Sequence, residues 1–139
     1  MIAGGYLGFQ GFQARANFAR SALAPALPVL MVDYDDREET SAAALVHPVG
    51  ESNLAALITF DVPVLLGYNR VNARIRTRVH AIVGEDALIA TSDYGKGRTL
   101  VWTRDIGAHW CPNEFVDVPG YSPLMAGMIQ WLADKKRAH

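Results

Sequence analysis

The segment MIAGGYLGFQGFQ (residues 1–13) decides how the rest of the chain is read. Met1, Ile2 and Ala3 have the character of the last residues of a buried strand. Gly4 and Gly5 permit a sharp turn, and Tyr6 to Gln10 lead on as if into a helix. A strand, a tight glycine turn and a polar or aromatic residue at the apex is how α/β enzymes present a nucleophile or a ligand contact. No strand precedes it, so the segment reads as a functional elbow, a relic of one, or a fragment that begins mid-fold.

Composition bounds what such a fold does. The 139 residues are 50% hydrophobic and 19% charged, a balance that supports one domain (residues 1–139) with a real core. A formal net charge of −1 supplies no global field for nucleic acid or an anionic membrane, so neither is expected as a partner. No run approaches the roughly 18 apolar residues of a membrane span, and no secretory signal is visible at residue 1. The lone cysteine, Cys111, excludes an internal disulfide framework and fits a reducing compartment. A cytoplasmic location is expected.

Downstream of the elbow, residues 12–27 show no clean period and read as irregular structure or a short helix ending before Pro25 or Pro28. PVLMV (28–32) reads as a short strand, DYDDREET (33–40) as a polar surface loop, and AALVHPV (43–49) as a second strand. ESNLAALITF (51–60) predicts two turns of helix with Ser52 or Asn53 as N-cap. VPVLLGYNRV (62–71) is strand-like as far as Gly67, then turns polar. From Val71 to Val83 apolar and polar residues alternate, which predicts a strand with a turn or bulge near Arg76. Its wet face would carry Asn72, Arg74, Arg76, Arg78 and His80. Two β-rich runs around GKG (95–97) predict a hairpin spanning about residues 87–103, with positive φ at Gly95 and Gly97. A long loop over 106–121 precedes a terminal helix with Ser122 as N-cap, Pro123 at its first helical position, and an apolar stripe through Leu124, Met125, Met128, Ile129 and Leu132. Lys135, Lys136 and Arg137 suit its negative end.

The chemistry-bearing residues cluster in two places. In RDIGAHWC (104–111), Asp105 can orient His109 as a general base, and Trp110 can wall a pocket. The plainer alternative has Asp105 capping a turn and His109 bonding to backbone. In LGYNR (66–70), Tyr68, Asn69 and Arg70 follow an apolar strand and either grip a carboxylate or amide or form a turn. Cys111 lacks an activating motif and reads as a packed thiol. The acidic loop lacks the order and glycine of a calcium loop, and the Arg74–His80 stripe reads as a solvated face. GKG is a turn without the longer phosphate-loop pattern, and the scattered histidines have no zinc spacing. No metal and no cofactor are expected.

Taken in order, GGYLGFQG, LPV, DDREE, LLGYNRV, YGKGRTL, DIGAHW and PGY…WL resemble the glutamine amidotransferase-like cytoplasmic proteins of the class I amidotransferase-like superfamily. The resemblance covers nearly the whole chain. It implies an α/β, flavodoxin-like three-layer sandwich lacking its N-terminal βα units, with a C-terminal β-hairpin and terminal helix. It also implies that a homo-oligomer or a separate N-terminal segment covers the open side of the sheet. Class I amidotransferases carry a nucleophilic cysteine at the elbow and a histidine with an acid after a later strand. Here the elbow offers Gly4, Gly5, Tyr6 and Leu7, and His109 falls roughly at the later position without a His-Pro-Glu pattern. Cysteine-dependent glutaminase activity is therefore not expected. What remains is a cleft bordered by Tyr6, Gln10, Asn69, Arg70, Asp105, His109 and Trp110 that binds a small polar ligand in a self-associating domain. The alternatives are a hydrolase using His109 and Asp105, and a purely structural oligomerisation module.

Overall fold

The computed structural model describes residues 1–58, 65–107 and 109–134, with residues 41–43 described by their backbone only. In chain order the strands are β1 (Ile2–Ala3), β2 (Val29–Met31), β3 (Arg37–Ala44), β4 (Val46–Pro48), β5 (Leu65–Asn69), β6 (Val71–Ala73), β7 (Arg78–Val83), β8 (Asp86–Tyr94) and β9 (Gly97–Trp102). The helices are α1 (Asn53–Ala56), α2 (Asn113–Val116) and α3 (Tyr121–Ala133).

The β8–β9 hairpin is the spine. Tyr94 pairs with Gly97 across a tight turn in which Gly95 takes φ 55°. Around it forms a five-stranded sheet in the order β1-β9-β8-β7-β4. Ala87, Leu88, Ile89 and Ala90 are all buried, so β8 is covered on both faces and reads as a continuous apolar run. On one face Leu88, Leu100 and Trp102 pack with Leu54 of α1, Phe115 of α2, and Leu124 and Met128 of α3. On the other, Ala87, Ala90 and Val101 pack with Phe9, Leu27, Val29 and Val71. Two antiparallel ribbons, β2–β6 and β3–β5, complete the strands.

The result is a mixed α/β fold with few helices. β1 runs parallel to β9, whereas the β9–β8, β8–β7 and β7–β4 pairings are antiparallel. A flavodoxin-like sandwich of the kind the resemblance implies would be built on a mainly parallel sheet.

Several local expectations need correction. No α-helix follows the elbow. Residues 12–26 instead carry three short 3-10 turns, with positive φ at Phe9, Gln13, Ala14 and Asn17 breaking any longer helix. DYDDREET is not a solvated loop, because Arg37 onward enters β3 and Asp36 is wholly buried. β5 continues through Tyr68 and Asn69 instead of ending at Gly67. The 106–121 loop contains α2. The first residue of α3 is Tyr121, after Gly120, so Ser122 does not cap it, and Ile129 stays 58% exposed. Gly97 does not share the positive φ of Gly95.

The turn predicted near Arg76 is present, with Arg76 at φ 68° between β6 and β7. Ser52 caps α1 as expected, its hydroxyl accepting the Ala55 N–H at 3.0 Å. The supposed wet face is only partly wet. Arg74 donates to the carbonyls of Ala24, Leu27 and Val29, and His80 is buried. Ile75, which the alternation would place on the apolar face, is 93% exposed because it sits in that turn. The expected strand residues 62–64 and the basic tail 135–137 lie outside the described residues. Among the described residues no helix is long and apolar enough to cross a membrane.

Candidate functional site

β1 delivers the chain to the elbow. The Gly4 N–H donates to the Trp102 carbonyl at 2.7 Å, extending the β1–β9 pairing by one step before Gly5 turns away at φ 136°. That φ favours glycine. The elbow is then clamped by Asn69 at the end of β5. Its Oδ1 accepts the Gly5 N–H at 2.8 Å. Its Nδ2 donates to the carbonyls of Gly5 and Gly8 at 3.3 and 3.4 Å and to Asp36 Oδ1 at 2.9 Å.

Asp36 completes the clamp from the start of β3. Its carboxylate accepts the N–H groups of Gln10 and Gly11 at 2.9 and 2.8 Å. Burial pushes its pKa upward, and the hydrogen bonds from Gln10, Asn69 and Gly11 oppose that rise.

Above this clamp lies a charged aromatic platform. The Tyr6 and Phe12 rings stack with centroids 5.3 Å apart. The Arg37 guanidinium carbon sits 4.2 Å from the Tyr6 centroid and 4.6 Å from that of Phe12. Arg37 is held by Asp35, its Nε and Nη2 each donating at 2.9 Å. That fork holds the Asp35 carboxyl well below its usual range. His109 presents its ring edge-on to Tyr6 at 5.8 Å and lies 5.9 Å from the Trp110 ring. Its Nδ1 is 3.6 Å from Asp105 Oδ2, with the imidazole side chain 60% exposed. Asp105 Oδ2 also accepts the Trp110 N–H at 2.9 Å.

Trp110 packs against His109 and over Gly67, 2% exposed, with Nε1 donating to Glu39 Oε1 at 3.1 Å. Gly67 makes that possible, since a Cβ there would stand 2.6 Å from three atoms of the Trp110 ring. Arg104 fixes the loop from below. It is wholly buried, donates from Nη2 to the Trp110 carbonyl at 2.8 Å, and sits 4.1 Å from the Phe115 ring centroid. Burial lowers its pKa, while Cys111 and Asp105 pull the other way. Burial likewise pushes the Cys111 thiol up, with Arg104 opposing. A buried, protonated thiol suits packing.

The comparisons bear on this geometry. A family model described as "Putative glutamine amidotransferase" matches residues 1–134. The chain belongs to this amidotransferase family. Its fold is similar to that of cytoplasmic protein STM3548 from Salmonella typhimurium, with a TM-score of 0.89 and 34% identity. It is also similar to cytoplasmic protein STM1381 from Salmonella typhimurium LT2, with a TM-score of 0.89 and 30% identity. Each match covers 96% of this chain and 54% of the other, so the chain spans about half the length of these relatives. No curated protein sequence matches it significantly.

Within this amidotransferase-like elbow, Tyr6 stands near the apex, and four of the residues read from the sequence gather there: Tyr6, Asp105, His109 and Trp110. Asn69 lies beneath them with its amide spent on the clamp. Gln10 is 2% exposed, its Oε1 accepting from the Ala19 N–H at 2.9 Å. Arg70 pairs instead with Glu38 at 3.8 Å and Asp86 at 3.6 Å. There Tyr68 donates to Asp86 at 3.2 Å, and burial with that neighbour pushes the Tyr68 pKa up to about 12. Among the described residues, no cluster of three or more His, Cys, Asp or Glu side chains could hold a metal ion.

Sequence reading missed Phe12, Asp36, Arg37, Glu39 and Arg104. Arg37 and Glu39 had a signal, since period two within REET (37–40) puts them on one face of a strand and Glu38 on the other. Replacing Arg37 by lysine keeps the charge but removes the planar fork that stacks on two rings. A loss of about 1 kcal/mol in urea denaturation is expected. Wild-type stability in Arg37→Lys would show that the fork contributes nothing beyond charge.

Proposed function

We propose that this amidotransferase-like domain binds a small polar ligand at the elbow and works without cysteinyl-thioester chemistry. The observation that carries the reading is the exposed His109 imidazole, set between the Asp105 carboxylate and the Tyr6–Arg37 platform. Such a surface offers a cation, an acid–base group and two aromatic faces to one ligand. Asn69 and Asp36 act as positioning residues, holding the backbone on which Tyr6 stands. The parallel β1–β9 pair leading into a glycine elbow supports the finer flavodoxin-like assignment for the domain. Leu7 and Ile106, 62% and 50% exposed, supply apolar surface for self-association. The proposal includes a cytoplasmic location, in keeping with the two similar Salmonella proteins, both described as cytoplasmic.

The test uses L-glutamine, other amino acids and small dicarboxylates as probes in thermal unfolding. At least one is expected to raise the wild-type midpoint, with the rise lost in His109→Ala and Arg37→Met. Ammonia release from L-glutamine is expected to stay at the blank. If no probe raises the midpoint, or the variants respond like wild type, the reading fails. A second reading, hydrolysis with His109 as base, rests on the 3.6 Å contact to Asp105. It requires that any turnover shown by wild type disappear in His109→Ala.

A further inference from the structure

On the side of the sheet carrying α1 and α3, away from the elbow's residues, His80 lies 1% exposed between two hydroxyls. Its Nδ1 is 2.6 Å from Ser52 Oγ and its Nε2 is 2.7 Å from Thr91 Oγ1. Ser52 Oγ accepts the Ala55 N–H and keeps its own proton available to donate to Nδ1 in the tautomer protonated at Nε2. In that tautomer Nε2 donates to Thr91 Oγ1. Ser52 and His80 line a pocket of about 230 Å³ together with Glu51, Asn53, Arg78 and Trp131. Ser52 also borders a more open depression of about 550 Å³.

We propose that Ser52 is a nucleophile with His80 as its general base, acting on a small acyl ester whose anionic group meets Arg78. A nucleophilic hydroxyl within hydrogen-bond reach of an imidazole, itself oriented by a third group, is the arrangement that activates serine. Here Thr91 is the positioning residue. Ser52 Oγ attacks the carbonyl carbon while its proton passes to His80 Nδ1. The carbon–oxygen bond to the alcohol then breaks, and the alcohol leaves with that proton. Water attacks the acyl-serine and gives its proton to Nδ1. The acid departs as the Ser52 oxygen takes a proton back, so ester and water become acid and alcohol. Burial, aided by the Arg78 charge, lowers the His80 pKa to about 4, which keeps the ring in its accepting form near neutrality. So weak a base suits activated esters better than amides.

The experiment treats the full chain with a fluorophosphonate and maps the adduct by mass spectrometry, with p-nitrophenyl acetate hydrolysis as a second readout. Labelling replaces the P–F bond by Ser52 Oγ–P, and fluoride leaves with the serine proton. A single adduct on Ser52 is expected, absent in Ser52→Asn, which keeps an N-capping side chain. His80→Gln is expected to slow labelling by about 100-fold. Thr91→Val is expected to slow it as well, with Thr91→Ser restoring the rate. No adduct on folded wild type, an adduct on another serine, or an undiminished rate in His80→Gln would each overturn the proposal. Should His80→Gln fail to fold, selectivity for Ser52 over exposed Ser122 in wild type decides it.

Discussion

Asn69→Ala is expected to cost about 3–4 kcal/mol in urea denaturation, the largest loss for any single side chain in the elbow. The amide makes four contacts shorter than 3.5 Å, three to the elbow backbone and one to the buried Asp36 carboxylate. Its removal leaves the Gly5 N–H without its acceptor and takes from the buried Asp36 carboxylate its only side-chain amide donor among the described contacts. Water cannot readily replace them, since Asn69 and Asp36 are both 0% exposed. Asn69→Asp tests the same point differently, because it retains the shape but sets two carboxylates side by side. It is expected to be at least as damaging near neutral pH, with partial recovery in acid as the pair shares a proton. A loss below about 1 kcal/mol in Asn69→Ala would mean that the backbone holds the elbow unaided.

Acid is expected to weaken the fold through His80 as the pH falls below its unfolded-state pKa. The folded-state pKa is lowered from 6.5 to about 4, chiefly by burial and secondly by Arg78. Below the unfolded value the unfolded chain takes up a proton that the folded chain refuses, so stability falls as the pH drops from 6.5 and levels off below about 4. Between about pH 7 and pH 5 the loss amounts to about 2 kcal/mol. Asp36 and Asp86 have the opposite sign, since burial raises both and their protonation favours the folded chain. The difference in slope between wild type and His80→Gln isolates the histidine. Parallel stability–pH curves for the two would show that His80 titrates normally.

Much of the scaffold was legible because local rules and tertiary packing agreed. The GKG turn between two apolar runs reads as a hairpin, and Ser52 before NLAA reads as a cap, since both depend on neighbours in sequence. The glycine elbow was also visible, together with the His109–Asp105 contact four residues apart. Cross-chain partnerships were not. Asp36 lies in a run of acids that looks solvated, yet backbone N–H groups from residues 10 and 11 turn toward it and make a buried carboxylate tolerable. Arg37 looked like one more surface charge until Tyr6 and Phe12 stacked against it.

His80 draws the line most clearly. Strict alternation from Val71 places it on the wet face with the arginines. In the folded chain Val79 pairs with Ala90 and Ala81 with Ile89, so the ladder slips at His80 and a β-bulge re-aims its side chain inward. By itself the sequence determined the hairpin spine, the cap of α1, the glycine elbow and the absence of cysteine from it, because each is written in residues close along the chain. Only the tertiary structure decided which polar groups are buried, for a buried charge or imidazole persists only where distant segments supply its hydrogen bonds.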